Sequence, residues 1–132
     1  MADLLIIDDD VDSADALADI LRAEGHEVRV GFNGQEGLSL VHERTPALVL
    51  LDVEMPLVSG PAMAYEMFLR DTGLEEVPIV LLSGVQNLAD VAVTVGTPYF
   101  LGKPYRLETL LALVGRVLSE RTAPRPNVAT ER

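Results

Sequence analysis

Residues 4–10 read Leu-Leu-Ile-Ile-Asp-Asp-Asp, four apolar residues that run directly into three carboxylates. A short, continuous apolar run of this kind is typical of a strand that is buried on both faces, as in a parallel sheet covered by helices. The three carboxylates would then lie at the carboxyl end of that strand. This stretch therefore predicts both a buried strand and a polar site at its end.

Similar apolar runs recur along the 132-residue chain, at 28–32, 47–51, 77–82 and 99–101. The amphipathic stretches that separate them predict helices at 13–24, 34–43, 61–70, 87–95 and 106–120. Such alternation predicts an α/β fold with a five-stranded parallel sheet between two layers of helices. The run at 28–32 alternates polar and apolar residues, which favours an edge strand.

The ends of the predicted elements also set the extent of the domain. Ser13 or Asp12 is a candidate N-cap for the first helix, and Gly25 stands where a C-terminal glycine is expected. We expect one domain over residues 1–120. Residues 121–132 contain two prolines and no periodicity, which indicates a flexible tail or the stub of a linker.

The composition excludes several classes of protein. The chain has no cysteine, which rules out disulfides, thiolate catalysis and cysteine-ligated zinc. It also has no apolar run near the ~20 residues of a membrane span, so we expect a cytoplasmic protein with no membrane partner. The net charge of −11 argues against direct binding of nucleic acid, which requires a basic surface.

Four of the five runs end near residues that can bind cations or phosphate. These residues are Asp8, Asp9 and Asp10 after the first run, Asp52 after the third, Ser83 after the fourth and Lys103 after the fifth. In a parallel sheet they converge on one edge, where ligands of such folds bind. Lys103 is the only lysine in a chain with nine arginines, so it is less expected to be a generic surface charge.

The chemistry of this set points to phosphoryl transfer. Carboxylates that lie close together repel each other unless a cation is present, and Mg²⁺ suits a site with one or two carboxylates and a phosphate. A lysine ammonium and a serine hydroxyl can both bind phosphoryl oxygens. Taken singly, each residue has a simpler interpretation: Asp8 to Asp10 as a solvated loop and helix cap, Asp52 or Ser83 as a turn residue.

The ordered set of motifs resembles the response-regulator receiver domain of two-component signalling over about residues 3–120. The matching stretches are 4–10, Leu-Val-Leu-Leu-Asp-Val-Glu-Met-Pro at 48–56 with Gly60 after it, Ile-Val-Leu-Leu-Ser-Gly at 79–84 and Tyr-Phe-Leu-Gly-Lys-Pro-Tyr at 99–105. The resemblance implies a flavodoxin-like (βα)5 fold, a three-layer sandwich with strand order 2-1-3-4-5.

The same resemblance implies a role for each site residue. Asp52 would accept a phosphoryl group from the phosphohistidine of a sensor histidine kinase or a phosphotransfer protein. Lys103 and Ser83 would bind its oxygens, and a cis bond before Pro104 would direct Lys103 into the site. The expected Mg²⁺ ligands are Asp8, Asp9, Asp52 and the backbone carbonyl of Glu54.

A switch is also implied by the resemblance. Movement of Ser83 towards the phosphoryl group would leave space for Phe100 to rotate inward. That rotation would remodel the face built from the fourth helix, the fifth strand and the fifth helix, to which a downstream protein would bind. Because a receiver is consumed stoichiometrically, we expect a signalling switch and not a turnover enzyme.

Two alternatives come from other functional classes. A pseudo-receiver would share the fold and bind partners without being phosphorylated. Residues 8–11, Asp-Asp-Asp-Val, also fit the nucleophile motif of haloacid-dehalogenase-type phosphatases, in which Asp8 would be the nucleophile. That family has an acidic pair after its lysine, whereas Glu108 is the only acidic residue between Lys103 and Glu120, and Asp52 would have no role.

Overall fold

A computed structural model of the chain describes residues 2–52, 76–84 and 88–123. The strands are β1 (Asp3–Ile7), β2 (Glu27–Gly31), β3 (Leu48–Asp52), β4 (Ile79–Ser83) and β5 (Tyr99–Gly102). The described helices are α1 (Val11–Ala23), α2 (Gly34–Glu43), α3 (Leu88–Val95) and α4 (Leu107–Glu120). Thus α3 and α4 are the fourth and fifth helices predicted from the sequence. The third, at 61–70, lies outside the described residues, as do Glu54 and residues 124–132.

All five strands are parallel, in the order β2-β1-β3-β4-β5. This order confirms the predicted flavodoxin-like sheet and places β2 at an edge. The chain leaves β1 towards β2 on one side and later returns to β3 on the other. The strand order therefore reverses between β1 and β3, and a crevice at the carboxyl ends of these two strands is where ligands of such sheets bind.

Alternate side chains along the three central strands, β1, β3 and β4, build two separate cores, one on each face of the sheet. In β1, Leu4 and Ile6 pack with α1 and α4, whereas Leu5 and Ile7 pack with α2 and α3. Every residue of β3 and β4 is buried, as expected for central strands covered on both faces. The sheet is thus the middle layer of a sandwich whose rigidity fixes the strand ends. None of the helices in the described ranges is both long enough and apolar enough to cross a membrane.

The prediction that Ser13 or Asp12 caps the first helix is wrong, whereas the interpretation of Asp10 as a helix cap is confirmed. The helix begins two residues earlier, at Val11, and Asp10 is its N-cap. One carboxylate oxygen of Asp10 accepts the backbone N–H of Ser13 at 3.2 Å, and the other accepts its hydroxyl at 3.1 Å. These bonds from Ser13 lower the pKa of Asp10. Asp10 therefore belongs to the start of α1, which fixes where the residues before it lie.

The start of β4 also differs from the predicted run at 77–82. Val77 and Pro78 are buried, but the strand begins only at Ile79. Pro78 has no N–H to donate to a neighbouring strand, although its carbonyl accepts the N–H of Val49 at 3.0 Å. At its other end the strand extends to include Ser83.

A cluster of ionic contacts lies at the amino ends of β1 and β2. Arg29 donates to the backbone carbonyls of Leu40 at 2.6 Å and Arg44 at 2.8 Å, and it also contacts the carboxylate of Asp3. Arg44 binds the same carboxylate at 2.6 Å. The guanidinium of Arg29 thereby adds hydrogen bonds to two carbonyls at the end of α2, of which the Leu40 carbonyl also accepts the backbone N–H of Arg44. This arginine joins the edge strand β2 to α2 and β1.

We expect Arg29→Met to lower the free energy of unfolding by about 2 kcal/mol, because it removes hydrogen bonds from a charged group to the carbonyls of Leu40 and Arg44 and an ion pair with Asp3. Urea denaturation of the purified protein measures this change. Arg106→Met is the matched control, since Arg106 is exposed and makes no side-chain cap bond, and it should change the stability by less than about 0.5 kcal/mol. Equal effects of the two substitutions would contradict a stabilising role for Arg29.

His26 joins the beginnings of the same two strands. Its Nδ1 atom accepts the backbone N–H of Ala2 at 3.2 Å, and the next residue, Glu27, donates its N–H to the Ala2 carbonyl at 2.9 Å. Burial, and then the positive charge of the amino terminus, lower the pKa of His26 below its ordinary value of 6.5. The folded chain therefore favours the neutral imidazole, which can accept this hydrogen bond.

The lowered pKa makes part of the stability dependent on pH. The unfolded chain binds a proton at His26 more readily than the folded chain, so the contribution of His26 is complete above pH 6.5 and is lost as the pH falls below that value. We expect the loss of stability between about pH 7 and about pH 5.5 to be smaller in His26→Gln than in the wild type. Urea denaturation at each pH tests this, with His42→Gln on the exposed surface of α2 as the control. An identical loss in all three proteins would refute the prediction.

Candidate functional site

Three carboxylates meet at the carboxyl ends of β1 and β3. One oxygen each from Asp8, Asp9 and Asp52 lie within 4.8 Å of one another. Ile7 pairs with Leu51 in adjacent parallel strands, so the residues that follow them emerge side by side. Asp8 and Asp52 are buried, whereas Asp9 is exposed. Asp8 and Asp52 therefore form a buried pair, whereas solvent can reach Asp9.

Lys103 lies against the two buried carboxylates. Its Nζ atom is 3.3 Å from Oδ2 of Asp8 and 3.8 Å from Oδ2 of Asp52. Partial burial acts to lower the pKa of Lys103, but the charges of Asp8 and Asp52, together with the hydrogen bond to Asp8, outweigh it and raise the pKa above its ordinary value. Lys103 is therefore a positively charged group that bridges β5 and the acidic site.

The backbone holds Lys103 in this position from two sides. Its N–H donates to the carbonyl of Ser83 at 2.9 Å, which continues the pairing of β5 with β4 beyond the last strand residue. On the other side, the peptide bond between Lys103 and Pro104 is cis. Ser83 itself is buried at the end of β4, one residue beyond Leu82, which pairs with Asp52. Four strand ends thus contribute to one edge, as the sequence predicted.

Among the residues that the structure describes, the charges of this group do not balance. Three carboxylates and one ammonium sum to −3 + 1 = −2. The two oxygens of Asp8 already have partners, since Oδ1 accepts the N–H of Asp10 at 3.0 Å and Oδ2 contacts Lys103. The remaining negative charge, carried on hard oxygen ligands, is what a divalent cation such as Mg²⁺ would neutralise. The donor set therefore fits the metal that the sequence led us to expect.

The two aromatic residues at the start of β5 point in opposite directions. Tyr99 is completely buried, whereas the side chain of Phe100 is 42% exposed. Phe100 therefore lies on the outer side of an edge strand, three residues before Lys103. Glu54, the remaining residue expected at the site, is outside the described ranges.

Tyr105 is a neighbour of the site that the sequence analysis did not select. It lines a cavity of about 310 Å³ between α1 and the segment after β5, together with Asp8, Lys103 and Ser13. Burial, and to a smaller extent the charge of Asp8, raise the pKa of the Tyr105 phenol, while Lys103 acts to lower it. Its position two residues after Lys103, in the segment that leaves the strand end, is the signal that could have identified it.

Comparison with known proteins assigns this arrangement to a family. A family model described as the response regulator receiver domain matches residues 4–115. The chain belongs to the response-regulator receiver family. Its members act in phosphorylation-based two-component signalling, and the family resemblance inferred from the sequence is confirmed.

Two mycobacterial response regulators are among the similar curated proteins. The chain is 33% identical to the response regulator MprA of Mycobacterium sp. (strain KMS) over 123 residues, which are 92% of this chain and 52% of MprA. It is 34% identical to the DNA-binding response regulator MtrA of Mycobacterium leprae (strain TN) over 113 residues, which are 84% of this chain and 48% of MtrA. The chain thus spans about half the length of these relatives.

Receiver structures superpose on most of the chain. The receiver domain of NtrX from Brucella abortus has a TM-score of 0.78 and 33% sequence identity, and the match covers 88% of this chain and 98% of that domain. The chemotaxis response regulator CheY4 of Vibrio cholerae has a TM-score of 0.80 and 26% identity, covering 89% of this chain and 98% of CheY4. These likenesses confirm the receiver fold.

The unbalanced charge predicts how Mg²⁺ and Asp9 affect thermal stability. We expect saturating Mg²⁺ to raise the melting temperature of the wild type by about 3–8 °C, because a cation that binds only the folded site stabilises it. Asp9→Asn removes one of three mutually repelling charges, so without Mg²⁺ it should melt at a higher temperature than the wild type and should gain less from Mg²⁺. Differential scanning calorimetry with and without EDTA measures both effects.

Asp12→Asn is the control for this comparison. Asp12 is exposed in the first turn of α1 and does not belong to the group of three carboxylates. It should respond to Mg²⁺ as the wild type does. If Asp9→Asn and Asp12→Asn respond identically, the three carboxylates do not form the cation site.

Proposed function

We propose that Asp52 is the phosphoacceptor of this receiver and takes its phosphoryl group from the phosphohistidine of a sensor histidine kinase or a phosphotransfer protein. The observation that carries the proposal is the contact of the Lys103 ammonium with Asp8 and Asp52 at the buried end of β3. An ion pair that only stabilises the fold needs one carboxylate for one ammonium. Here the ammonium of Lys103 contacts two carboxylates of a group that carries excess negative charge. That arrangement suits a site that receives a dianionic phosphoryl group.

In the proposed reaction an oxygen of Asp52 attacks phosphorus, and the bond from phosphorus to the histidine nitrogen breaks. The products are an acyl phosphate on Asp52 and a free imidazole on the donor. Positioning and neutralisation of charge supply most of the catalysis in such transfers. The rigid end of β3, a central strand, gives Asp52 a fixed position for attack.

Lys103 and Ser83 bind oxygens of the transferred group in this proposal. Lys103 carries a compact charge and would exchange part of its contact with Asp8 and Asp52 for a phosphoryl oxygen. The hydroxyl of Ser83, buried at the end of the adjacent strand, would donate a hydrogen bond. Mg²⁺ would be held by Asp8, Asp9, Asp52 and the backbone carbonyl of Glu54, and when bound it supplies positive charge to the phosphoryl oxygens.

The proposed conformational change would reach the partner-binding surface through β5. When Ser83 moves towards the phosphoryl group, Phe100 rotates from its exposed position towards the space that Ser83 leaves. That movement changes the surface formed by α3, β5 and α4, which a downstream protein recognises. Each chain accepts one phosphoryl group for each signal, so the protein acts as a switch and not as a turnover enzyme. The net charge of −11 favours protein over nucleic acid as the direct partner.

Labelling with a small phosphodonor tests the proposal. With acetyl phosphate and Mg²⁺, we expect intact-protein mass spectrometry to show one added phosphoryl group, which is absent from Asp52→Asn and absent when EDTA is present. Lys103→Ala should slow labelling by about 100-fold, since it removes the positive charge next to the acceptor.

Asp12→Asn is again the matched control and should be labelled at the rate of the wild type. No labelling of any protein under these conditions would favour the pseudo-receiver. Full labelling of Asp52→Asn combined with its loss in Asp8→Asn would favour a phosphatase-type nucleophile. Either result would overturn the assignment of Asp52.

A further inference from the structure

Strand β2 ends the sheet at the edge opposite β5, and a groove of about 620 Å³ runs beside it along α2. Its apolar lining comes from Val30, Phe32 and Leu40, which are all half-buried. Glu36 and Glu43 of α2 also line this β2–α2 groove, and no cationic side chain does so among the residues that the structure describes. The groove therefore combines apolar surface with negative charge, at a distance from the acidic site.

The outer edge of β2 directs backbone groups into the groove. The N–H of Glu27 and the carbonyl of Gly31 both bond to residues that flank β1. Alternate residues of a parallel strand direct their backbone groups to opposite sides, so those of Val28 and Val30 face away from β1. Arg22 covers the carbonyl of Val28 at 2.9 Å. No strand within the described ranges pairs with Val30 on this side, because β2 is an edge strand.

The two carboxylates lie on one stripe of α2. Glu36, Leu40 and Glu43 are four and three residues apart, so their side chains share a face of the helix. The two charged positions are about 10 Å apart along the helix axis. An extended chain advances about 3.3 Å per residue, so basic residues about two to four positions apart in such a chain can reach both carboxylates. The stripe therefore suits an extended ligand with two positive charges and apolar surface between them.

Contacts within the chain leave both carboxylates able to bind a cation. One oxygen of Glu36 accepts the N–H of Phe32 at 2.7 Å, a contact at the start of α2 that fixes the position of the side chain. Its second oxygen has no hydrogen-bond partner among the described residues. Arg44, which follows Glu43 in the sequence, has its guanidinium on the carboxylate of Asp3 at 2.6 Å. The cation next to Glu43 in the sequence is therefore paired elsewhere.

We propose that the β2–α2 groove docks an extended basic segment of a partner protein, in which lysine or arginine residues alternate with apolar ones. A residue of the segment pairs with the backbone of Val30, as when a peptide adds a strand to a sheet edge. Its basic side chains bind Glu36 and Glu43, and its apolar side chains contact Phe32 and Leu40. The same carboxylates repel nucleic acid, so the groove selects a basic peptide. This inference goes beyond the proposed phosphotransfer, because it concerns the opposite edge of the sheet and needs no phosphoryl group.

Fluorescence anisotropy with a short labelled peptide, in which arginine alternates with valine, tests the proposal. We expect the unphosphorylated chain to bind it at least about tenfold more tightly than a peptide with glutamate in place of arginine. A peptide with serine in place of valine should bind at least about threefold more weakly, because it loses the apolar contacts.

The double variant Glu36→Gln with Glu43→Gln removes both charges of the groove. Glutamine can still accept the N–H of Phe32, so the start of α2 is retained. The double variant should bind the arginine–valine peptide at least about tenfold more weakly than the wild type. Glu24→Gln with Glu108→Gln is the matched control, since it makes the same change in net charge at exposed positions that do not line the groove. It should bind the peptide as the wild type does.

A second pair of variants changes the groove at one exposed residue. Ser39 lines the groove three residues after Glu36 and four before Glu43. Ser39→Arg places a cation of the chain itself beside both carboxylates and should weaken peptide binding by at least about tenfold. Ser39→Ala should bind the peptide within about twofold of the wild type. Circular dichroism verifies that each variant is folded.

Three results would overturn the proposal. The first is no binding of the arginine–valine peptide at millimolar concentration. The second is equal weakening by the two double variants, which would mean that only net charge matters. The third is displacement of the peptide by an equal concentration of spermine, which would identify the groove as a site for small polycations.

Discussion

The mutual repulsion of Asp8, Asp9 and Asp52 is the constraint on which the rest of the site depends. Parallel strands β1 and β3 bring these carboxylates to one point, and two of them are buried. Burying like charges together costs stability, and a single ammonium from Lys103 offsets only part of that cost. A sequence selected for stability alone would place neutral residues there. The cost is understandable if the site must hold a cation and a phosphoryl group.

At the opposite ends of the strands, charged residues form ion pairs that stabilise the fold. At the amino ends of β1 and β2, Asp3 contacts both Arg29 and Arg44, and Arg44 also approaches Glu27. Two carboxylates there face two guanidinium groups, so their formal charges cancel. At the carboxyl ends of the strands, the described residues include three carboxylates and one ammonium. Among the described residues, the acidic site therefore carries an excess of negative charge, which supports the proposed binding of a cation and a phosphoryl group.

The periodicity of apolar residues and the residues at the predicted strand ends were sufficient to predict the sheet. They were also sufficient to predict that the carboxylates and Lys103 lie close together. They were sufficient because burial on both faces requires apolar runs, and parallel strands align their ends. Hydrogen bonds made by side chains, whether local or distant in sequence, follow no such period. The start of α1 depends on local bonds from Ser13 to Asp10, and Arg29 binds a carbonyl eleven residues away. Tyr105 was missed although it follows Lys103 by two residues, because most of the cavity that it lines is built by α1.

The short strand β5 connects the chemistry to the surface. Three residues separate Tyr99, whose ring is buried, from Lys103, and the exposed Phe100 is the first of them. In the proposed switch, a displacement of Lys103 would reach Phe100 along β5, because both residues belong to one short segment paired with β4. Tyr99 holds that segment to α4 through Glu120. Strand β5 therefore connects the acidic site, through Lys103, with the exposed Phe100, and the bond from Tyr99 to Glu120 joins the same strand to α4.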